Sequence, residues 1–338
     1  MSEGPLAETR PADEARPRFA GDFYLVPLGP QAVQLRAGEK VLKLSGPDVA
    51  ALLERLLPRL TGRHSLREIA EQAGAEDRPR VRGLVATLLE NRVLHDARDE
   101  DAGRDALTPD EEERHAGQIR FFGHFQRDPR QQQAALKKAT VGVLGAGRLA
   151  AALTGLLYRS GIGAVLTGEL DAAADAADLL FSCAEEPSVG YWETVNAASL
   201  RTGTPWLRCS LDGYKGLVGP LVIPYETACY RCCRLRERSN ARNPAEHNAF
   251  ESWLEEHPDH GVRYGGLSPF EPIVAGYAAL EAVRLLTRIT ALESPTVGHL
   301  LVVDLLTYET ERHRVLKVPR CAACGQGRGR ASRKAWSE

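Results

Sequence analysis

The stretch that decides the fold is Ala139-Thr-Val-Gly-Val-Leu-Gly-Ala-Gly-Arg-Leu-Ala150. The apolar run Ala139–Leu144 predicts a short buried strand, and Gly145–Ala150 has the GxGxxA spacing of a strand-to-helix turn. A helix over Ala151–Arg159 and a second strand over Ala164–Thr167 complete a βαβ unit. Glycines in such a turn allow a phosphate to approach the helix N-terminus closely. The turn therefore indicates either a nucleotide site or a βαβ turn that keeps its glycines for packing alone.

The residues that follow the turn favour the packing interpretation. Glu169, 24 positions after Gly145, could hold a ribose, but only Asp171–Ala177 separates it from the next predicted strand, Asp178–Ser182. That gap contains no Arg, Lys or Gln, and stabilising the charge of phosphoryl or adenylyl transfer needs such groups. ATP is therefore not an expected cofactor. We interpret four residues as a vestigial nucleotide turn: Gly145, Gly147, Ala150 and Glu169.

Two CxxC pairs indicate a metal site. They are Cys229-Tyr-Arg-Cys232 and Cys321-Ala-Ala-Cys324, and together they supply the four thiolates of a closed tetrahedral zinc site. Such a site leaves no open position for a water, so we expect a structural zinc and no catalytic residues at the metal. Cys233 adjoins the first pair and could compete with Cys232. The alternatives are two unrelated thiol pairs or redox chemistry, and the latter is disfavoured because neither pair is predicted to open a helix.

A smaller unit precedes the βαβ unit. Three β-like runs are followed by three helical patterns, an order that predicts a small winged-helix domain. Ser65 and Glu68 form a capping box before the second helix, and Asn91 is a candidate C-cap of the third. The strands are predicted over Phe23–Leu28, Ala32–Leu35 and Val41–Leu44, and the helices over Val49–Leu60, from Leu66, and over Val81–Leu89.

Composition and charge set the remaining expectations. We predict a disordered segment over residues 1–18, the winged-helix domain over 19–95, a linker over 96–117, the larger α/β domain over 118–325 and a basic tail over 326–338. Residues 96–114 carry nine acidic residues against three Arg, which is typical of a solvated linker. The net charge of −2 gives no reason to expect a nucleic-acid partner. No apolar run reaches the roughly 20 residues of a membrane span, and no secretory signal is present, so we expect a cytoplasmic protein without a membrane partner.

The larger domain resembles the ThiF-like, ubiquitin-activating-enzyme fold over about 118–325. The paired CxxC knuckles that flank a Gly- and Ala-rich helix are the specific feature of the resemblance, whereas the glycine turn alone is a weak one. Active members carry Arg and Lys residues that bind ATP and often a later catalytic Cys, and both are absent here. The resemblance thus implies a degenerate Rossmann-type domain that keeps its zinc and has lost adenylation. The matching segments are Arg127–Gln133, Gly145–Ala150, the region of Asn196, Thr204–Trp206, Gly216–Pro220, Ala228–Cys232, the helix Pro272–Thr287 and Pro319–Gly325.

The smaller domain resembles the RiPP recognition element, a PqqD-like winged helix. Its fusion to a degenerate ThiF-like domain resembles the leader-peptide-binding partners of YcaO-type cyclodehydratases, which form azolines in the biosynthesis of peptide antibiotics such as thiopeptides. The resemblance implies a non-catalytic subunit that holds the leader of a ribosomally made precursor while the YcaO partner uses ATP. An extended leader can add as a strand to a sheet edge. The predicted leader-binding residues are Lys40, Val41, Leu42, Lys43, Leu44, Arg78, Arg82 and Val85.

Two other functions stay open from the sequence. The glycine turn is compatible with an active ThiF-type adenylyltransferase. A winged helix can also bind DNA, but residues 20–95 carry eleven Lys and Arg against nine Asp and Glu, which is a weak basic bias. The sequence leaves open whether the chain forms a homodimer.

Overall fold

The computed structural model describes residues 12–20, 22–100, 106–126, 128–257, 260–262, 264–289 and 294–325. The chain divides into two compact units, Met1–Ala134 and Ala135–Glu338. The basic tail and most of the N-terminal segment predicted to be disordered lie outside the described residues. Within those residues, no helix combines the length and the apolar character that crossing a bilayer requires.

The first unit contains a three-stranded antiparallel sheet of order β2-β3-β4, and a separate pair formed by β1 and β5. Strand β4 therefore forms one edge of its sheet. The elements are β1 (Pro17–Phe19), β2 (Tyr24–Pro27), β3 (Ala32–Ala37), β4 (Lys40–Ser45), α1 (Val49–Leu56), α2 (Leu66–Gln72), α3 (Arg78–Glu90), β5 (Leu94–Asp96), α4 (Ala97–Glu100), α5 (Pro109–Arg114) and α6 (Ala116–Gly123).

Side-chain periodicity explains these elements. In β4, Leu44 is buried while Val41 and Lys43 are exposed, as expected for side chains that alternate between the two faces of a strand. The apolar stripe of α1 is buried in a core shared with β3, α2 and α3. The predicted capping box is confirmed, because the Ser65 hydroxyl accepts from the Glu68 amide and the Glu68 carboxylate accepts from the Ser65 amide. Asn91 is the C-cap of α3, as predicted.

The segment predicted as a solvated linker contains helices α4 and α5 and the first two residues of α6. Helix α5 begins with a capping box between Thr108 and Glu111, has Pro109 in its first turn, and carries acidic residues there that favour the N-terminus of a helix. These local stabilising interactions explain why a strongly acidic segment is helical. Ordered structure also begins earlier than residue 19, since β1 (Pro17–Phe19) pairs with β5.

The second unit is built on a seven-stranded mixed sheet of order β12-β11-β10-β9-β8-β6-β7. Strands β7, β6, β8 and β9 are parallel, and β9 to β12 pair antiparallel. The elements are α7 (Pro129–Lys138), which leads in from the first unit, then β6 (Thr140–Leu144), α8 (Arg148–Arg159), β7 (Ala164–Thr167), α9 (Leu170–Ala176), β8 (Leu179–Ala184), α10 (Val189–Thr202), β9 (Trp206–Asp212), β10 (Lys215–Val222), α11 (Tyr230–Asn240), α12 (Pro244–Glu256), α13 (Phe270–Thr287), β11 (His299–Asp304) and β12 (Thr310–Arg314).

The parallel strands place the glycine turn at a position where α/β folds bind ligands. Strand β6 lies between β7 and β8, so the chain crosses over it on the way from β7 to β8. The carboxyl ends of neighbouring strands at such a switch point border a crevice. The strand–turn–helix–strand order predicted from the sequence is confirmed by β6, α8 and β7.

Candidate functional site

Four cysteines form a buried cluster in the second unit. The sulfur atoms of Cys229, Cys232, Cys321 and Cys324 all lie within 4.8 Å of one another. The Cys229–Cys232 and Cys229–Cys321 sulfur separations are both 3.8 Å, and Cys232–Cys324 is 3.6 Å. Zn–S bonds of about 2.3 Å in a tetrahedron place sulfur atoms about 3.8 Å apart. The cluster is therefore compatible with a structural zinc ion.

Backbone interactions hold the two cysteine knuckles in place. The buried Asn196 side chain accepts a hydrogen bond from the Tyr230 amide at 3.0 Å, within the first knuckle. The amide of Val318 donates to the Cys232 sulfur at 3.3 Å. In the second knuckle, the Gly325 amide donates to the Cys321 carbonyl at 2.7 Å, and a Cβ at Gly325 would meet that oxygen at 2.5 Å. The turn that follows Cys324 thus requires a glycine at position 325.

The thiols interact as a group. The Cys229 thiol donates to the Cys232 sulfur, which lowers the pKa of Cys232 to about 5 and raises the pKa of Cys229. Burial raises the pKa of Cys324 to about 11. Cys232 is thus favoured as a thiolate that accepts from Cys229. Metal binding to the cluster would release protons from its thiols.

The remaining cysteines lie outside the cluster. The Cys233 thiol is directed to the Glu237 carboxylate, 3.6 Å away, so it does not share the position of Cys232. Cys183 and Cys209 are buried register partners on β8 and β9, as small core residues would be. One prediction was wrong: Cys229 is the N-cap of α11, so the first CxxC pair does open a helix.

The glycine turn is filled by side chains and backbone of this chain. A Cβ at Gly145 would lie 2.1 Å from the Cys183 carbonyl, and one at Gly147 would lie 2.4 Å from Glu185 Oε1. Both glycines have positive φ, at 106° and 105°. The Glu185 carboxylate accepts a hydrogen bond from the Leu149 amide at 2.9 Å. A negative charge therefore already occupies the N-terminus of α8, where a nucleotide phosphate would bind.

The other two residues of the predicted turn, Ala150 and Glu169, lie in different environments. Ala150 is buried within α8, where it contributes to packing. Glu169 is exposed at the N-cap position of α9 and makes no side-chain capping hydrogen bond. No local pattern in the sequence indicates a role for Glu185, because its partner Leu149 is 36 residues away.

A groove in the first unit follows the end of β4 and one face of α3. Its volume is about 330 Å³. The exposed Gly83 leaves a gap in the wall of α3, since no atom lies within 4 Å of the Cβ it lacks. The groove is apolar at Leu44 and Leu84, with Arg80 at one side. Its lining includes Leu44, Ser45, Pro47, Arg80, Gly83, Leu84 and Thr87.

Of the eight predicted leader-binding residues, Leu44 lines this groove. Val85 is fully buried in the core. Lys40 donates to the Asn91 carbonyl and lies over the Phe23 ring, and burial lowers its pKa. Arg82 pairs with Asp13 at 2.9 Å.

Of the other four predicted residues, three lie on the edge strand β4 and Arg78 is the first residue of α3. Leu42 packs against the core of the first unit. Val41, Lys43 and Arg78 are exposed. Sequence reasoning missed Arg80, Gly83, Leu84 and Thr87, although a groove-facing stripe at positions 80, 83, 84 and 87 has helical spacing.

Comparison with known proteins places this geometry in context. Residues 166–324 match the model of the ThiF family. The second unit has a ThiF-like fold. The matched range includes all four clustered cysteines and begins after the glycine turn.

Curated relatives agree with this fold. The chain is 27% identical over 163 residues to the sulfur carrier protein ThiS adenylyltransferase of Escherichia coli K12, covering 47% of this chain and 55% of that protein. It is 24% identical over 157 residues to protein HesA of Leptolyngbya boryana, covering 46% and 47%. The chain thus spans about half the length of the curated relatives it matches.

Solved structures extend the similarity beyond the ThiF-like unit. The heterocyclase TruD matches with a TM-score of 0.67 at 21% identity, over 92% of this chain and 43% of that one. E. coli MccB with MccA-N7isoASN matches with a TM-score of 0.64 at 14% identity, over 91% of this chain and 99% of that one. Coverage of this extent includes residues of both units. At these identities the similarity describes the fold.

Proposed function

We propose that the first unit binds the leader of a ribosomally synthesised precursor peptide, and that the chain presents the core of this precursor to a separate YcaO-type cyclodehydratase. In this proposal the first unit is a PqqD-like winged-helix recognition element. The partner consumes ATP and forms azolines, on the way to a thiopeptide or a linear azole peptide. The chain itself contributes recognition, with zinc as a structural ion.

The observation that carries the proposal is the position of the groove beside the open edge of β4. An extended peptide can pair with an edge strand through its main chain while its side chains enter a neighbouring groove. Here Leu44, on the edge strand, and Leu84, on α3, line the same groove. Lys43 and Arg78 are exposed nearby and would attract an acidic leader.

The ThiF-like unit supports a role without adenylation. The Glu185 carboxylate holds the helix N-terminus at the glycine turn, and the cavity next to it measures about 180 Å³. The similarity to a heterocyclase, TruD, and to MccB in complexes with MccA is the basis for transferring peptide modification to this chain.

A direct test is titration of the full chain with a fluorescent leader from a candidate precursor, at low salt. We expect saturable binding that an unlabelled leader displaces and a scrambled leader of the same composition does not. Equal binding of leader and scrambled peptide would refute the recognition role. Leader binding that leaves azoline formation by a YcaO enzyme unchanged would refute presentation.

The second candidate is an active adenylyltransferase, which the glycine turn and the similarity to the ThiS adenylyltransferase favour. Pyrophosphate exchange separates the two functions, because adenylation returns label from pyrophosphate to ATP. We expect no exchange by the purified chain with precursor present. Exchange that is lost in Arg148→Ala, which removes the one cation that lines the cavity among the described residues, but kept in the exposed control Arg312→Ala would establish the second candidate instead.

A further inference from the structure

The crevice at the glycine turn contains a buried carboxylate with an unused oxygen. Glu271, in the first turn of α13, is only 2% exposed and lines the crevice. Arg148 pairs with its Oε1 at 2.5 Å. Its Oε2 is buried and has no hydrogen-bond partner among the described residues. A buried polar atom without a partner costs free energy, so a ligand that supplies a donor there is stabilised.

The charge of the crevice determines which charge the ligand should carry. Three carboxylates, those of Glu185, Glu186 and Glu271, line it together with one cation, Arg148. The crevice therefore has an excess of negative charge, whereas a site that binds phosphate needs positive charge. Among the described residues, only the cysteine cluster brings three or more ligand atoms within reach of one metal ion. The carboxylates are thus better placed for an extended organic cation than for a metal.

Apolar surface continues from the crevice. Tyr264 and Glu186 also line a neighbouring cleft next to α12, together with the half-exposed rings of Phe250 and Trp253. Trp253 stacks on His257 with ring centroids 4.7 Å apart, which fixes its orientation. Aromatic faces attract cations and also bury apolar side chains. The two adjoining cavities therefore suit a basic group followed by an apolar one.

We propose that this crevice binds a peptide segment in which an arginine or lysine is next to an apolar residue. The Glu271 carboxylate, whose Oε2 has almost no accessible surface in this structure, turns toward the crevice to accept from the cationic group. That group lies near Tyr264, and the apolar neighbour occupies the cleft beside Trp253. A site that binds nucleotide phosphates in an α/β fold thus serves as a peptide site here. This assignment concerns the second unit and is independent of leader binding by the first.

The test uses the full chain and two capped dipeptides, N-acetyl-arginyl-leucinamide and its citrulline analogue, in ligand-observed NMR titrations. Citrulline keeps the shape of arginine but is neutral. A charge-assisted hydrogen bond contributes at least about 1.5 kcal/mol, so we expect about ten-fold weaker binding of the citrulline ligand. Glu271→Gln should weaken the arginine ligand by a similar factor, and the exposed control Glu309→Gln should leave its affinity unchanged.

A second variant tests the proposal independently, in case Glu271→Gln misfolds. Gly266 lines the crevice, and its missing Cβ would make only an ordinary contact, 3.6 Å from the Phe270 ring. Gly266→Phe should therefore fold, retain every charge and abolish binding of the arginine ligand. Equal affinity for the two dipeptides, or binding that survives both Glu271→Gln and Gly266→Phe, would overturn the proposal. Displacement of the arginine ligand by pyrophosphate at equal concentration would also overturn it.

Discussion

Glu185 Oε1 accepts a hydrogen bond from the backbone amide of Leu149 at 2.9 Å, so a side chain from the end of β8 caps helix α8. The first turn of a helix has amides without intrahelical partners and favours negative charge. Gly147 is favoured at this turn because its φ of 105° is rarely adopted by residues with a side chain, and a Cβ there would also displace the same carboxylate. The Glu185 carboxylate thus makes the turn unsuitable for a second anion.

This relationship predicts a stability effect that does not depend on any ligand. Glu185→Ala should destabilise the chain by about 1 kcal/mol, since it removes a carboxylate that caps a helix N-terminus. Urea unfolding measures the effect, and the exposed Glu309→Ala serves as control. Equal midpoints for the two variants would show that the hydrogen bond contributes nothing to the stability of the folded protein.

The cysteine cluster predicts which thiols matter to the metal. We expect one zinc ion in the wild-type chain, and Cys324→Ser should lose it and fold poorly, because the binding energy of a structural zinc is folding energy. Cys233→Ser should retain one zinc, since the Cys233 thiol is directed to Glu237. Metal analysis of the purified variants by mass spectrometry measures both. Loss of zinc from Cys233→Ser would show that Cys233 takes the ligand position assigned to Cys232.

The capping box of α2 predicts a dependence of stability on pH. The hydrogen bond from the Ser65 amide lowers the pKa of Glu68 below its usual 4.5. A lowered folded-state pKa means that the stabilisation is present above the unfolded pKa and is lost as the pH falls through the folded one. The Glu68→Gln variant has no carboxylate to protonate at this position. As the pH is lowered from about 6 to about 3, its stability, measured by thermal unfolding, should therefore fall less than that of the wild type. Glu71→Gln, an exposed change in the same helix, should keep the wild-type dependence.

Local sequence signals predicted a large part of this structure. Periodicity located the strands β2 to β4 and the helices α1 to α3 of the first unit. The Ser65–Glu68 pair located the start of α2, and the two CxxC pairs identified the cysteines that cluster. A Thr108–Glu111 capping box was equally visible, but the density of acidic residues around it led to the prediction of a linker instead of α5.

These local signals could not predict interactions between residues that are distant in the sequence. Glu185 meets Leu149 only because β6 and β8 are neighbours in the sheet, although β7 and α9 separate them in the chain. Val85 was assigned to leader binding, but the helical stripe alone does not distinguish a core position from a groove position, and the side chain is fully buried. Glu271 looks like an ordinary helix-start residue in the sequence, and only the fold places it in the crevice.

The groove next to β4 supports a prediction with a closely matched control. Gly83 on α3 and Gly155 on α8 are both exposed helical glycines, and neither missing Cβ would have an atom within 4 Å. Replacing a helical glycine reduces the entropy of the unfolded chain, so Gly83→Phe and Gly155→Phe should both fold, with stability equal to or above that of the wild type. Only Gly83→Phe places a ring in the groove, and it should weaken leader binding at least about ten-fold, the effect of losing about 1.4 kcal/mol. Fluorescence anisotropy with the leader peptide measures both variants. Unchanged binding by Gly83→Phe would place the leader elsewhere, and equal weakening by Gly155→Phe would show that the effect does not arise from the groove.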